Sequence, residues 1–119
     1  MNDCVFCRIV AGQAPAKIEF EDDRVMAFAT IEPVSKGHTL LVPKKHWEDL
    51  FSIDEEDASA LGLGAARLSR KLREENGATG LNLLHASGKD AQQSLPHLHF
   101  HLVPRYPNDG LDLWLREGL

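Results

Sequence analysis

The sequence predicts an α+β domain, a mostly antiparallel five-stranded sheet with one long helix and one short helix. Three observations predict it. Residues 52–77 carry the pattern of a long amphipathic helix, with Leu61, Ala65, Leu68 and Leu72 on one face. Segments rich in β-formers flank that helix on both sides. In residues 96–105, PHLHFHLVPR, His97, His99 and His101 alternate with Leu98, Phe100 and Leu102. Extended backbone turns that alternation into two faces, one of imidazoles and one of apolar side chains.

Taken in order, residues 3–10 form a short helix, with Asp3 placed to cap it and Gly12 to end it. Residues 17–21 and 24–29 read as two strands joined through Asp22-Asp23, a hairpin turn. Pro33, Ser35 and Gly37 make 31–37 a loop, and HTLLV at 38–42 is a third strand that stops at Pro43. Ser52 and Glu55 stand at capping-box spacing before the long helix, which ends near Asn76-Gly77. Gly62 and Gly64 each weaken that helix by about 1 kcal/mol relative to Ala, and close packing against the sheet is the expected reason for both. Residues 80–85 are the fourth strand, 87–93 a polar loop, and the histidine segment the fifth strand.

With 119 residues, 43% of them hydrophobic, the chain is long enough for one core and too short for two. A functional site must then be built on this sheet or at a subunit interface. The net charge of −5 argues against a nucleic-acid polymer as partner, while leaving room for a small phosphorylated ligand served by a few local cations. Apolar runs all fall short of the roughly 20 residues needed to span a bilayer, and Asp3 and Arg8 interrupt the first residues. The expectation is a cytoplasmic protein with no membrane partner.

Half of the chain's six histidines lie within five residues, which concentrates nucleophiles, proton carriers and metal ligands in one patch. Two readings follow: a metal site made by the three rings, or one nucleophilic imidazole flanked by helpers. A nucleophilic imidazole must be neutral at the attacking nitrogen and held in one tautomer by a bond at the other. His99, between two histidines, is best placed for this, and His101 and the Ser94 hydroxyl suit the phosphoryl oxygens as donors. Both cysteines lie in Cys4-Val5-Phe6-Cys7. Without the βαβ pattern of a thioredoxin-like redox motif, they read better as half of a metal site completed by distant histidines.

HLHFHLV resembles the H-x-H-x-H-x-x signature of the histidine triad (HIT) superfamily of nucleotidyl hydrolases and transferases, in which x is apolar. DCVFCRIVAGQAP, FATIEPVSKGHTLLVPKKHW, GLNLL and QSLPHLHFHLVPR extend the likeness to the bacterial, Hint-like members over residues 3–105. The resemblance implies a HIT-like fold, with residues 1–119 as one domain. It makes His99 the nucleophile that takes an AMP group, His101 a phosphate contact and His38 a fourth active-site histidine. Gln93 and Ser94 match the pair facing the phosphate and leaving group. Phe28 and Ile31 match positions lining the nucleobase and ribose pocket. Thr30 stands where the Hint branch has an Asp that holds the ribose hydroxyls, Gln92 where a glycine is common, and Ala86 where an asparagine is frequent. His85, beside Ala86, reads as a strand-end histidine at a loop edge.

The same resemblance completes the cysteine pair with His46 and His97. Two thiolates and two imidazoles suit a closed, structural zinc site, so His97 is assigned to the metal, and catalysis, with no catalytic cofactor, to His99 and His101. The implied partner is a purine nucleotide of the AMP or GMP type. The implied assembly is a homodimer through the long helix and its neighbouring strand, with the carboxy-terminal segment near the partner's site. Lys44 and Lys45 read as solvated, and Trp114 as an aromatic that packs the terminus onto the domain or a partner. The activity implied is hydrolysis at the α-phosphate of purine nucleoside phosphoramidates or adenylated amines through a nucleotidyl-histidine. The alternatives are a dinucleoside polyphosphate hydrolase and a nucleotide-binding regulator with incidental catalysis.

Overall fold

A computed structural model describes residues 3–115, in the order α1 (Val5–Val10), β1 (Ile18–Glu21), β2 (Val25–Ala29), β3 (Thr39–Pro43), α2 (Glu55–Asn76), β4 (Gly80–Leu84) and β5 (Phe100–Arg105). The strands form one sheet in the order β1-β2-β3-β5-β4, every neighbouring pair antiparallel. The polar loop before β5 includes one 3-10 turn, Lys89–Ala91. Of the expected 1–119 domain, residues 1–2 and 116–119 lie outside the described residues.

Side-chain alternation divides the sheet between two cores. Val25, Ala27, Leu41, Leu98 and Leu102 meet Leu61, Ala65, Leu68 and Leu72 of α2. On the other face Met26, Phe28, Leu40 and Val42 meet Phe6 of α1. Leu68 is wholly buried, and truncation to Ala there costs about 2–5 kcal/mol. A Cβ on Gly64 would meet Val25 Cγ2 at 3.1 Å, so α2 lies against β2 because that residue has no side chain. The packing reason does not extend to Gly62, whose Cβ would meet nothing within 4 Å.

The caps differ from those expected. Asp54, not Ser52, caps α2, its carboxylate accepting from the Asp57 N–H at 2.8 Å, because the helix starts at Glu55 and Asp54 lies three residues before that donor. Ser52 bonds instead to Asp49 in the preceding turn. In α1 the cap is Cys4, whose sulfur accepts from the Cys7 N–H, in place of Asp3. Trp114 is 57% exposed on this domain. The tail is tied down by Arg105, which pairs with Asp109 and donates to the Leu111 carbonyl.

Strand β5 starts four residues later than expected. Its ladder with β3 begins at Leu41↔Phe100, and two residues further it would set Leu98 opposite Pro43, which has no N–H to give. The Leu98 N–H goes to the Trp47 carbonyl at 2.7 Å instead. His97 and His99 therefore sit in an irregular lead-in and only His101 is within the strand. The alternation survives, with Leu98 and Leu102 in the α2 core and the rings of His97 and His99 edge-on to Phe6 at 5.7 and 5.3 Å.

Candidate functional site

Helix α1 sets Cys4 and Cys7 one turn apart, and the end of β3 and the lead-in to β5 bring His46 and His97 to them. One ligand atom from each of the four lies within 4.8 Å of all the others. His97 is fully buried. Its Nε2–H donates to the Pro43 carbonyl at 2.9 Å, so Nδ1 holds a lone pair. That Nδ1 lies 3.2 Å from Cys4 Sγ, 3.5 Å from Cys7 Sγ and 3.1 Å from His46 Nδ1. Burial pushes the His97 pKa down to about 4, which keeps the ring neutral. The edges of a tetrahedron with bonds of about 2.0–2.3 Å run to roughly 3.3–3.8 Å, and the 3.1–3.5 Å from His97 Nδ1 to the other three donors is close to that spacing. The chemistry of two thiols and two imidazoles fits a group that could hold a metal ion.

Asp57 secures the segment bearing His46. This buried carboxylate accepts from Trp47 Nε1 at 2.8 Å and Arg24 Nη1 at 2.7 Å, and the Trp47 bond is the main cause that lowers its pKa. Trp47, next to His46, also receives the Leu98 N–H. One tryptophan thus ties α2 to a metal-site residue and to the lead-in carrying His97 and His99.

The other histidines are ordered by a chain of donors. The Val34 N–H donates to His38 Nδ1 at 3.1 Å, which leaves the His38 proton on Nε2. His38 Nε2 lies 3.0 Å from His101 Nδ1 and donates to it, so His101 carries its proton on Nε2. His99 donates its Nδ1–H to the His97 carbonyl at 2.9 Å, leaving Nε2 with a free lone pair. The His99 and His101 rings are 5.2 Å apart. Burial lowers the pKa of His38 and His99 and brings that of His101 to about 4, so all three are neutral near pH 7.

These rings form a wall between two recesses. The larger, about 560 Å³, has an apolar floor of Phe6, Ile9, Phe28 and Leu40 and a rim of Lys17, Thr30, Ile31 and Glu32. The smaller, about 330 Å³, is lined by Val34, Leu84, His85, Ala86, Gln92, Val103 and Leu113. His38, Ser94, His99 and His101 line both. A molecule spanning the wall would lie against the His99 lone pair and the His101 and Ser94 donors.

Of the residues singled out from sequence, His38, His99, His101, Ser94, Phe28, Thr30 and Ile31 meet at the larger recess. Phe28 is buried at 3% exposure, whereas Ile31, at 96%, stands on the rim. Thr30 Oγ1 accepts from the Glu32 N–H. Gln93 lines neither recess; its amide accepts from the Gly88 N–H and donates to the Glu48 and Leu95 carbonyls, bracing the loop. Sequence reasoning missed Phe6, whose ring bridges His97, His99 and Phe28. An aromatic inside the C-x-x-C turn was the available signal. The contact of His85 with the His99 carbonyl had no signal in local sequence.

Among the described residues, no helix is long and apolar enough to cross a membrane. The HIT domain family matches residues 11–108. An uncharacterized HIT-like protein of Methanocaldococcus jannaschii is 40% identical over 107 residues, covering 90% of this chain and 82% of the relative. The adenylylsulfatase HINT3 of Arabidopsis thaliana is 34% identical over 118 residues, covering 99% of this chain and 59% of its own. A zinc-bound histidine triad family protein of Mycobacterium smegmatis superposes with a TM-score of 0.89 at 38% identity, covering 93% of this chain and 81% of that one.

Proposed function

The chain belongs to the HIT domain family, and from that premise we propose that it hydrolyses purine nucleoside phosphoramidates or adenylated amines at the α-phosphate through a nucleotidyl-His99 intermediate. The observation that carries this reading is the His99 ring, with Nδ1–H held by a backbone carbonyl at 2.9 Å and Nε2 free on the wall between the recesses. The His99 lone pair attacks the α-phosphorus, the P–N bond to the amine breaks, and the departing nitrogen takes up a proton from water. Water then attacks the same phosphorus, the P–N bond to His99 breaks, and the nucleoside monophosphate is released. His101 Nε2–H and the Ser94 hydroxyl donate to the phosphoryl oxygens as charge builds on them. The nucleoside occupies the larger recess, its base over Phe6 and Phe28 and its ribose toward Thr30 and Ile31. Gln93 acts by holding the loop that carries Ser94.

The leaving group occupies the smaller recess, which among the described residues has no lysine or arginine in its lining. That favours an amine over the polyanionic product of a dinucleoside polyphosphate. The adenylylsulfatase relative supports chemistry at an adenylyl group. We assign Cys4, Cys7, His46 and His97 to structural zinc, which when bound ties α1 to β3 and β5. A pair of cysteines facing histidines rather than forming a disulfide fits the cytoplasm. A homodimer through α2 and the open edge of β4, where Leu83 is 49% exposed, completes the assignment.

The test is a panel of purine phosphoramidates and dinucleoside polyphosphates, with peptide mass spectrometry of acid-sensitive adducts. The expected result is amine release and a nucleotidyl group on His99. Turnover with no adduct, in rapid-quench samples of substrate-saturated enzyme, defeats the covalent route.

A further inference from the structure

The β4–β5 ladder ends at Leu84↔His101, one residue short of His85, and the β3–β5 ladder ends at Leu41↔Phe100. The carbonyl of His99 falls just past both. The donor that reaches it is a side chain, His85 Nδ1, at 3.0 Å. A carbonyl only accepts, so the His85 proton is on Nδ1 and its Nε2 is a lone pair. Nε2 lies 2.5 Å from Ser87 Oγ, which must donate to it, and the same oxygen accepts from the Leu50 N–H at 2.9 Å. Donor and acceptor are assigned at every link, and the chain joins the Leu50 loop, the Ser87 loop and the backbone of His99. The His85 ring also packs against Phe100 at 5.3 Å and lines the smaller recess.

We propose that His85 is a positioning residue, fixing the peptide plane of His99 and through it the direction of the attacking Nε2. The proposal rests on the reading of His99 as nucleophile. His99 is held twice: its ring by the His97 carbonyl and its own carbonyl by the His85 ring. Losing the second hold lets the peptide rotate while the larger recess, which His85 does not line, stays in place. The deficit then falls on the chemical step, because small misplacement of a reacting atom lowers the rate more than the affinity.

The test compares His85→Phe, which keeps a ring against Phe100 and removes the donor, with His85→Asn, whose amide nitrogen occupies the place of Nδ1. With an AMP phosphoramidate of a fluorescent amine, His85→Phe is expected to lower kcat about 10- to 100-fold with KM changed less than about threefold, and His85→Asn to recover kcat to within about fivefold of wild type. Equal kcat in wild type and His85→Phe, or no recovery in His85→Asn with wild-type melting, overturns the proposal. A second measurement needs no turnover. Imidazole 15N spectra of the wild type are expected to show His85 as the Nδ1–H tautomer, and the Nε2–H tautomer overturns the proposal outright. A wild type that releases no amine while showing the Nδ1–H tautomer overturns the functional reading and, with it, the assignment of His85 to positioning a nucleophile; the two failures are told apart by the spectrum.

Discussion

His97 and His99 are two residues apart, both buried, and both edge-on to Phe6, yet they present opposite nitrogens. His97 gives its Nε2 proton to the Pro43 carbonyl and turns Nδ1 toward two sulfurs and His46. His99 gives its Nδ1 proton to the His97 carbonyl and leaves Nε2 free. One end of the site is thereby a cluster of potential metal ligands and the other, in the proposed function, a nucleophile with donors beside it. The difference lies in which carbonyl each ring meets, since a bonded nitrogen keeps its proton and the opposite nitrogen keeps its lone pair. Phe6 joins the two ends, because it sits in the C-x-x-C turn and packs on both rings.

The largest test of this division removes the nucleophile. His99→Ala is expected to lower turnover at least about a thousandfold while nucleotide affinity stays within about tenfold; steady-state kinetics and nucleotide titration check it. Residual activity above about 1% erases the distinction between the two ends.

Next comes the relay that sets His101. His38→Phe keeps a ring but removes the donor to His101 Nδ1, and is expected to lower kcat about 10- to 100-fold through loss of a fixed phosphate donor. The measurement is kcat and KM on the same phosphoramidate, and an effect confined to KM goes against the relay.

The cluster end should behave in the opposite way. Cys4→Ser is expected to reduce bound zinc and to lower the melting temperature by about 10 °C or more, because metal binding energy appears as folding energy. The rate per folded molecule should stay within about threefold. Metal analysis beside thermal unfolding and kinetics checks this; lost catalysis without lost stability would merge the two ends into one catalytic centre.

Acid gives the smallest and most graded test. The His101 pKa lies near 4 in the fold against 6.5 when free, with burial the main cause, and that of His38 is also lowered by burial. The folded state therefore binds these protons less readily than the unfolded chain. Their contribution to stability is complete above about pH 6.5 and is lost as pH falls toward 4. Unfolding of Cys4→Ser between pH 7 and 4 separates this loss, to which buried His97 and His99 add, from acid release of metal; a flat profile contradicts the buried neutral histidines.

The sequence by itself determined the strand-rich α+β architecture, because alternation and helical periodicity are local patterns that burial reads directly. It also determined that three histidines share one face, and it picked out Cys4, Cys7, His46 and His97, which converge within 4.8 Å. Boundaries and caps were less legible. The position of Pro43 opposite Leu98 cut β5 short, and Asp54 rather than Ser52 took the helix cap because the first helical turn begins one residue after it. What only the tertiary structure decided is the protonation pattern of the site. The Pro43 carbonyl, the His97 carbonyl and the Val34 N–H select which nitrogen of His97, His99 and His38 is available, and His85 reaches the His99 carbonyl from across a loop. A tautomer depends on the one polar group within about 3 Å of the ring, and in two of these four contacts, His97 with Pro43 and His85 with His99, that group lies 54 and 14 residues away, where spacing along the chain cannot identify it.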